Sequence, residues 1–264
     1  MKHRSSLLLA VGMALASVAA HAVDKAPPTL APLEALTPQE DSRDTADVDD
    51  LIMSSEGFLT RHPDLKYRLL ALTDYRKGEF AKALSKFKRA ARFADKPSQG
   101  MVAEMLWDGR GVPVDRPTAY IWMDLAAERG YKMMLVKREL YWEALTAAER
   151  ERALDIGDAL YGEYADKYAK PRLESKLRQA RSKTTGSRTG FASNLSIEIP
   201  TATGLRTIRG DEYYKAEFWK PEQYWAMQDS DWKDTEGRVD VGEIQLLDGA
   251  AEPKKNAGDN GSSD

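Results

Sequence analysis

The chain has 264 residues, with 39 Lys and Arg against 42 Asp and Glu and no cysteine. Without cysteine there is neither disulfide support nor a His/Cys metal site or thiol nucleophile, so stability has to come from packing. A formal charge of −3 argues against nucleic acid, whose binding depends on Lys and Arg neutralising phosphates.

Lys2 and Arg4 precede an apolar run from Leu7 to Ala20, and Ala20-His21-Ala22 is a small-x-small site. Residues 1–22 are therefore predicted to be a secretory signal peptide cleaved after Ala22. An uncleaved anchor is the alternative, but the run is short for a span, and nothing later reaches roughly 18 apolar residues. Export to the periplasm is the expectation, with secretion beyond the cell left open. Cleavage removes Lys2 and Arg4 and takes the charge from −3 to −5.

Residues 23–45, with Pro27, Pro28, Pro32 and Pro38, read as a flexible leader. Apolar positions at Val48, Leu51, Ile52 and Phe58 predict a short helix ending near His62-Pro63. Asp64 is then placed to cap a helix over 65–76, and Lys77-Gly78 turns the chain into an antiparallel mate over 80–93. A second pair is predicted over about 97–107 and 116–129. Asp115 stands at its N-cap, Pro117 in the first turn and Gly130 at the end. A third pair covers 131–144 and a helix opened by the capping box Thr146-x-x-Glu149, with an apolar stripe of Ala153, Ile156, Leu160, Tyr164 and Tyr168.

These pairs repeat. Ala83–Ala91 (ALSKFKRAA) returns 36 residues later as Ala119–Ala127 (AYIWMDLAA), and Ala71–Tyr75 returns 32 residues later as Ala103–Trp107. A period of this size marks stacked helical hairpins, each of which buries its apolar face only against its neighbours. Ala83, Ala90, Ala126 and Ala127 let helices approach closely, while Phe87 and Trp122 fill the space between them. The unequal shifts make the second turn four residues longer, within Gly109–Asp115.

Gly109, Gly111, Val112, Asp115, Ala119, Trp122, Ala126, Ala127 and Gly130 fall in the register of the Sel-one-like repeat, and this segment resembles that family. The first pair, with Tyr75, Gly78, Phe80, Ala83, Phe87 and Ala90, is more similar to a plain tetratricopeptide repeat. It lacks the Gly-x-Gly turn and carries Lys86 where the relative has tryptophan. The resemblance implies an all-α fold: a short right-handed α–α solenoid over residues 46–170, with an irregular extension over 171–248. It also implies an interaction scaffold for another protein or peptide, without catalytic residues or cofactors. In such repeats the first helices line a concave face. Here that face would carry Lys66, Leu69, Thr73 and Arg76, and 32 residues on Ser98, Met101, Met105 and Asp108. Adaptable methionines suit a peptide groove, although Leu69, Met101 and Met105 also read as core.

Beyond Pro171 the character changes. Residues 167–190 hold eight bases against Glu174 alone, whereas 211–248 hold eleven acids and four bases. Residues 173–181 predict a basic helix, 182–190 a loop, 195–199 and 239–247 short strands, and 249–264 a disordered tail. Tyr213, Tyr214, Phe218, Trp219, Tyr224, Trp225 and Trp232 form an aromatic cluster. Either it folds back to cap the last repeat helix, or it offers stacking surfaces to a cell-wall glycan.

Chemical sites are sparse. His62 is the one histidine left after signal cleavage, and it reads as a helix-boundary residue rather than a base. Gly109-x-Gly111 follows no strand and reads as a turn rather than a phosphate loop. Asp229, Asp231, Asp234, Glu236 and Asp240 could gather around calcium, but Lys233 interrupts the order and a solvated acidic loop is the alternative. An acid-based hydrolase would need two carboxylates facing each other across a cleft.

Overall fold

The computed structural model describes residues 48–184 and 195–233. The signal peptide, the leader, the strand at 239–247, the tail, and Asp234, Glu236 and Asp240 lie outside the described residues. The described chain is mostly helical with one two-stranded sheet. It opens with α1 (Val48–Ser54) and α2 (Glu56–Arg61), where the sequence predicts a single helix. The break is local: Ser55 takes extended backbone, and its hydroxyl accepts from the Phe58 N–H while donating to the Ile52 carbonyl.

Helix α3 (Pro63–Arg76) pairs with α4 (Phe80–Ala91), and α5 (Lys96–Asp108) with α6 (Arg116–Ala127). The predicted cap at Asp64 is corrected. His62 is the N-cap and Pro63 occupies the first helical position, so Asp64 lies two residues past the cap and is buried in the first turn instead. The caps at Asp115, which accepts from the Thr118 N–H, and at Thr146 with Glu149 form as the sequence predicts. Gly109 ends α5 in the left-handed region at φ 73°. Gly111, at φ 77°, does more than turn the chain: a Cβ there would lie 2.5 Å from Cβ of Phe80. The longer second turn reaches back onto the start of α4, and only glycine fits that approach.

The third pair differs from its prediction. Helix α8 (Ala147–Tyr164) packs principally on α6, whereas α7 (Lys132–Ala144) leans on α6 separately. Tyr164 meets Trp122 at 4.4 Å between ring centres, and the Tyr161 hydroxyl donates to Asp124. Extended backbone at Ala165 then breaks the chain before α9 (Asp166–Thr184), so the predicted stripe stops at Tyr164 and Tyr168 is exposed. Helix α9 runs through Pro171 without interruption, across the place where the sequence changes character.

Strand β1 (Ser196–Thr201) pairs antiparallel with β2 (Gly204–Arg209), with Ile197 opposite Ile208 and Pro200 opposite Leu205. The partner of the first strand is thus the adjacent segment, joined to it by a tight turn. The chain ends its described course in α10 (Gly210–Tyr213), α11 (Ala216–Trp219) and α12 (Pro221–Lys233). The aromatic return does not cap the last repeat helix. Tyr213, Phe218 and Trp219 enter a core with Ile52, Phe58 and Leu65 at the opposite, N-terminal end, and Tyr224 and Trp225 pack with Ala169, Leu173 and Leu177 of α9.

Candidate interaction surface

The eight residues predicted for the concave face divide sharply. On α3, Leu69 is 44% exposed, and Thr73 and Arg76 are open, with Lys66 half-buried. On α5, Ser98 is buried, Met101 is 2% exposed and Met105 is 0% exposed; Asp108 alone is open. The methionine part of the groove is therefore corrected: those side chains belong to the main core, with Trp107, Trp122 and Tyr141. Helix α5 is flanked on both sides. Arg68 of α3 reaches Asp95 at its N-cap, and Lys137 of α7 bonds Glu104 while Trp107 stacks on Tyr141.

Helix α12 bonds to the elements on either side of α5. Its Tyr224 hydroxyl donates to Asp64 at the start of α3, and its Asp229 accepts from the Tyr131 hydroxyl just before α7. The beginning of α5 is itself enclosed: Lys96, Pro97, Ser98, Gln99 and Gly100 are all buried.

Beneath this end lies a knot of charges that the sequence does not announce. The Lys96 ammonium donates to Gln99 Oε1, the Leu125 carbonyl and Glu128 (2.8 Å), and lies 3.0 Å from Asp166. Arg129 clasps Asp166 with two donors at 2.7 and 3.1 Å and gives a third hydrogen bond to the Ala94 carbonyl. Burial pulls the Lys96 pKa down, and Asp166 and Glu128 oppose that pull. Burial also works against the Asp166 charge, but Arg129 and Lys96 outweigh it and hold the carboxyl well below its ordinary range. The knot ties α5, α6 and α9 together, and its partners leave Lys96 no donor for substrate. Lys96 lies 29 residues from Leu125, 32 from Glu128 and 70 from Asp166, so no local pattern reveals the knot.

The other candidate residues are likewise engaged. His62 is buried, with Nδ1 2.9 Å from the Phe58 carbonyl and Nε2 2.8 Å from that of Phe218. Burial lowers its pKa to about 4. Asp229 of the acidic cluster is taken up by Tyr131 and lies 3.5 Å from Arg129, and among the described residues no group of three or more candidate ligands gathers for a metal. Of the seven clustered aromatics, Tyr213, Phe218, Trp219, Tyr224 and Trp225 are buried, leaving only Tyr214 and Trp232 half-open for stacking. A shallow depression of about 420 Å³ lies where α6 and α8 begin, lined by Val114, Arg116 and Arg152 among others. Asp115 and Glu149 beside it already serve as helix caps.

No family model, curated protein or solved structure matches the chain. Among the described residues no helix is long and apolar enough to cross a membrane.

Proposed function

We propose that the chain is a non-enzymatic interaction scaffold of Sel-like and tetratricopeptide-like hairpins, exported to the periplasm, that holds another protein or peptide on the outer face of α3. One observation carries this reading: α3 keeps open the positions that α5 buries. Leu69 and Leu70 are 44% and 40% exposed side by side, with Arg76 a turn and a half beyond and Lys66 a turn before. An apolar patch edged by cations suits a peptide that brings both aliphatic and acidic side chains. The repeat-signature residues, from Tyr75 and Gly78 to Trp122 and Gly130, serve the scaffold rather than the contact.

The test is affinity purification of the mature protein from its native envelope, repeated with Leu69→Glu and Leu70→Glu combined. The recovered partner should fall about tenfold or more, as when hot-spot side chains are lost. Leu154→Glu, at an exposed position on α8, should leave recovery unchanged. Equal recovery by all three proteins overturns the α3 assignment. Amino-terminal sequencing of the exported protein checks cleavage after Ala22.

A further inference from the structure

His62 and Asp64 stand two residues apart at the start of α3, and both are covered by the returning C-terminal helices. The His62 ring stacks on Phe58 at 3.6 Å and is edged by Trp219 at 4.9 Å and Tyr224 at 5.3 Å. Its nitrogens face the carbonyls of Phe58 on α2 and Phe218 on α11. A neutral imidazole donates to one of these and leaves the other unmet, whereas an imidazolium would serve both. The hydrogen bonds thus favour charge, but burial opposes it more strongly.

Asp64 is in the opposite situation. It is buried, its Oδ2 accepts from the Tyr224 hydroxyl, and its Oδ1 makes no hydrogen bond of ordinary geometry. The charged groups facing it are Asp95, the N-cap of α5, which repels its charge, and Arg68 of α3, which favours it but is itself bonded to Asp95. Tyr224 of α12 is the titratable group shared by both sites, and burial with Asp64 beside it raises its pKa well above 10. It stays neutral throughout the range where the other two titrate.

We propose that His62 and Asp64 form a compensated proton pair: seating α11 and α12 over the start of α3 drives a proton off the imidazole and another onto the carboxyl, so closure exchanges almost no net proton in mildly acid solution. The signs oppose each other. Burial lowers His62 from 6.5 to about 4, so its contribution to stability is present above 6.5 and lost as pH falls through 4. Burial, with Asp95, raises Asp64 from 3.8 to about 7, so its contribution is present below 3.8 and lost as pH rises through 7. Between about 4 and 6.5 the two slopes cancel.

The experiment is urea unfolding of the full chain followed by tryptophan fluorescence at several pH values from 4.5 to 6.5. Relative to the unaltered protein, Asp64→Asn should make the folded-to-unfolded ratio rise about tenfold per pH unit, the slope of one proton. His62→Asn should make it fall by about the same factor. Both profiles running parallel to that of the unaltered protein would overturn the pair. If either variant fails to fold, carbon-13 NMR of the unaltered protein decides. One aspartyl carboxyl still protonated and the His62 ring neutral at pH 5.5 support the pair; an ionised Asp64 or a charged His62 sinks it.

Discussion

The two hairpins α3–α4 and α5–α6 share a sequence pattern but differ in what lies against them. Across the shift of 36, Ala83 and Ala119, Phe87 and Met123, Ala90 and Ala126, and Ala91 and Ala127 are buried in both. Ser85 and Arg89 are exposed on α4, whereas their counterparts Ile121 and Leu125 are buried on α6. Lys86 is partly open and pairs with Asp74, while Trp122 in the same slot is enclosed with Tyr164. The cause is α8, which packs on α6; among the described residues no helix other than α3 and α5 packs on α4 to a similar extent. Even the ends agree: Ala94 takes the left-handed backbone, φ 64°, at the position equivalent to Gly130 at φ 77°. Hairpin geometry therefore repeats, and the environment around each hairpin sets which residues can vary.

Substitutions at paired positions probe this difference, and the largest effect is expected between α3 and α5. Met105→Glu buries a carboxylate in the main core and should cost more than about 4 kcal/mol or abolish folding. Thr73→Glu, its counterpart on α3, should stay within about 0.5 kcal/mol of the parent in urea unfolding. Equal costs would mean that α3 is covered as α5 is. Next, Trp122→Ala should cost about 3–5 kcal/mol, because it empties a large enclosed site. Lys86→Ala, which removes a part-exposed ion pair, should cost about 1 kcal/mol or less by the same measurement. The smallest contrast lies in the turns. Gly111→Ala adds a clash with Phe80 to an unfavourable φ and should cost about 3 kcal/mol, visible as a lower Tm. At Gly130 nothing lies within 4 Å, so the alanine there meets backbone strain alone, about 1 kcal/mol.

Much of the hairpin region was legible. Asp115 and Thr146 cap their helices through atoms three residues away, and Gly78, Gly109 and Gly130 turn the chain where the sequence puts them. Asp64 misled because its chemistry suits a cap, while the helix starts two residues earlier, at Pro63. The candidate surface was half legible. Periodicity put Leu69 and Met101 at equivalent helix positions, but accessibility depends on neighbours from elsewhere in the chain. The same holds for the aromatic cluster, for which the sequence offers either packing on the last repeat helix or a stacking surface, and whose partners are α1–α3 and α9. Sequence spacing of 156 residues between His62 and Phe218 offers no local signal of their contact.

By itself the sequence determined the two hairpins, the caps at Asp115 and Thr146 and the unequal turns, because those features rest on backbone conformation and hydrogen bonds within about four residues. Tertiary structure alone decided that α8 packs on α6, that α9 carries the chain back to α2, and that α12 bonds Asp64 of α3 and Tyr131 before α7. It also decided that Lys96, Asp64 and His62 are enclosed. Enclosure depends on surfaces contributed from distant parts of the chain, and the same side chain is core or interface according to what arrives to cover it.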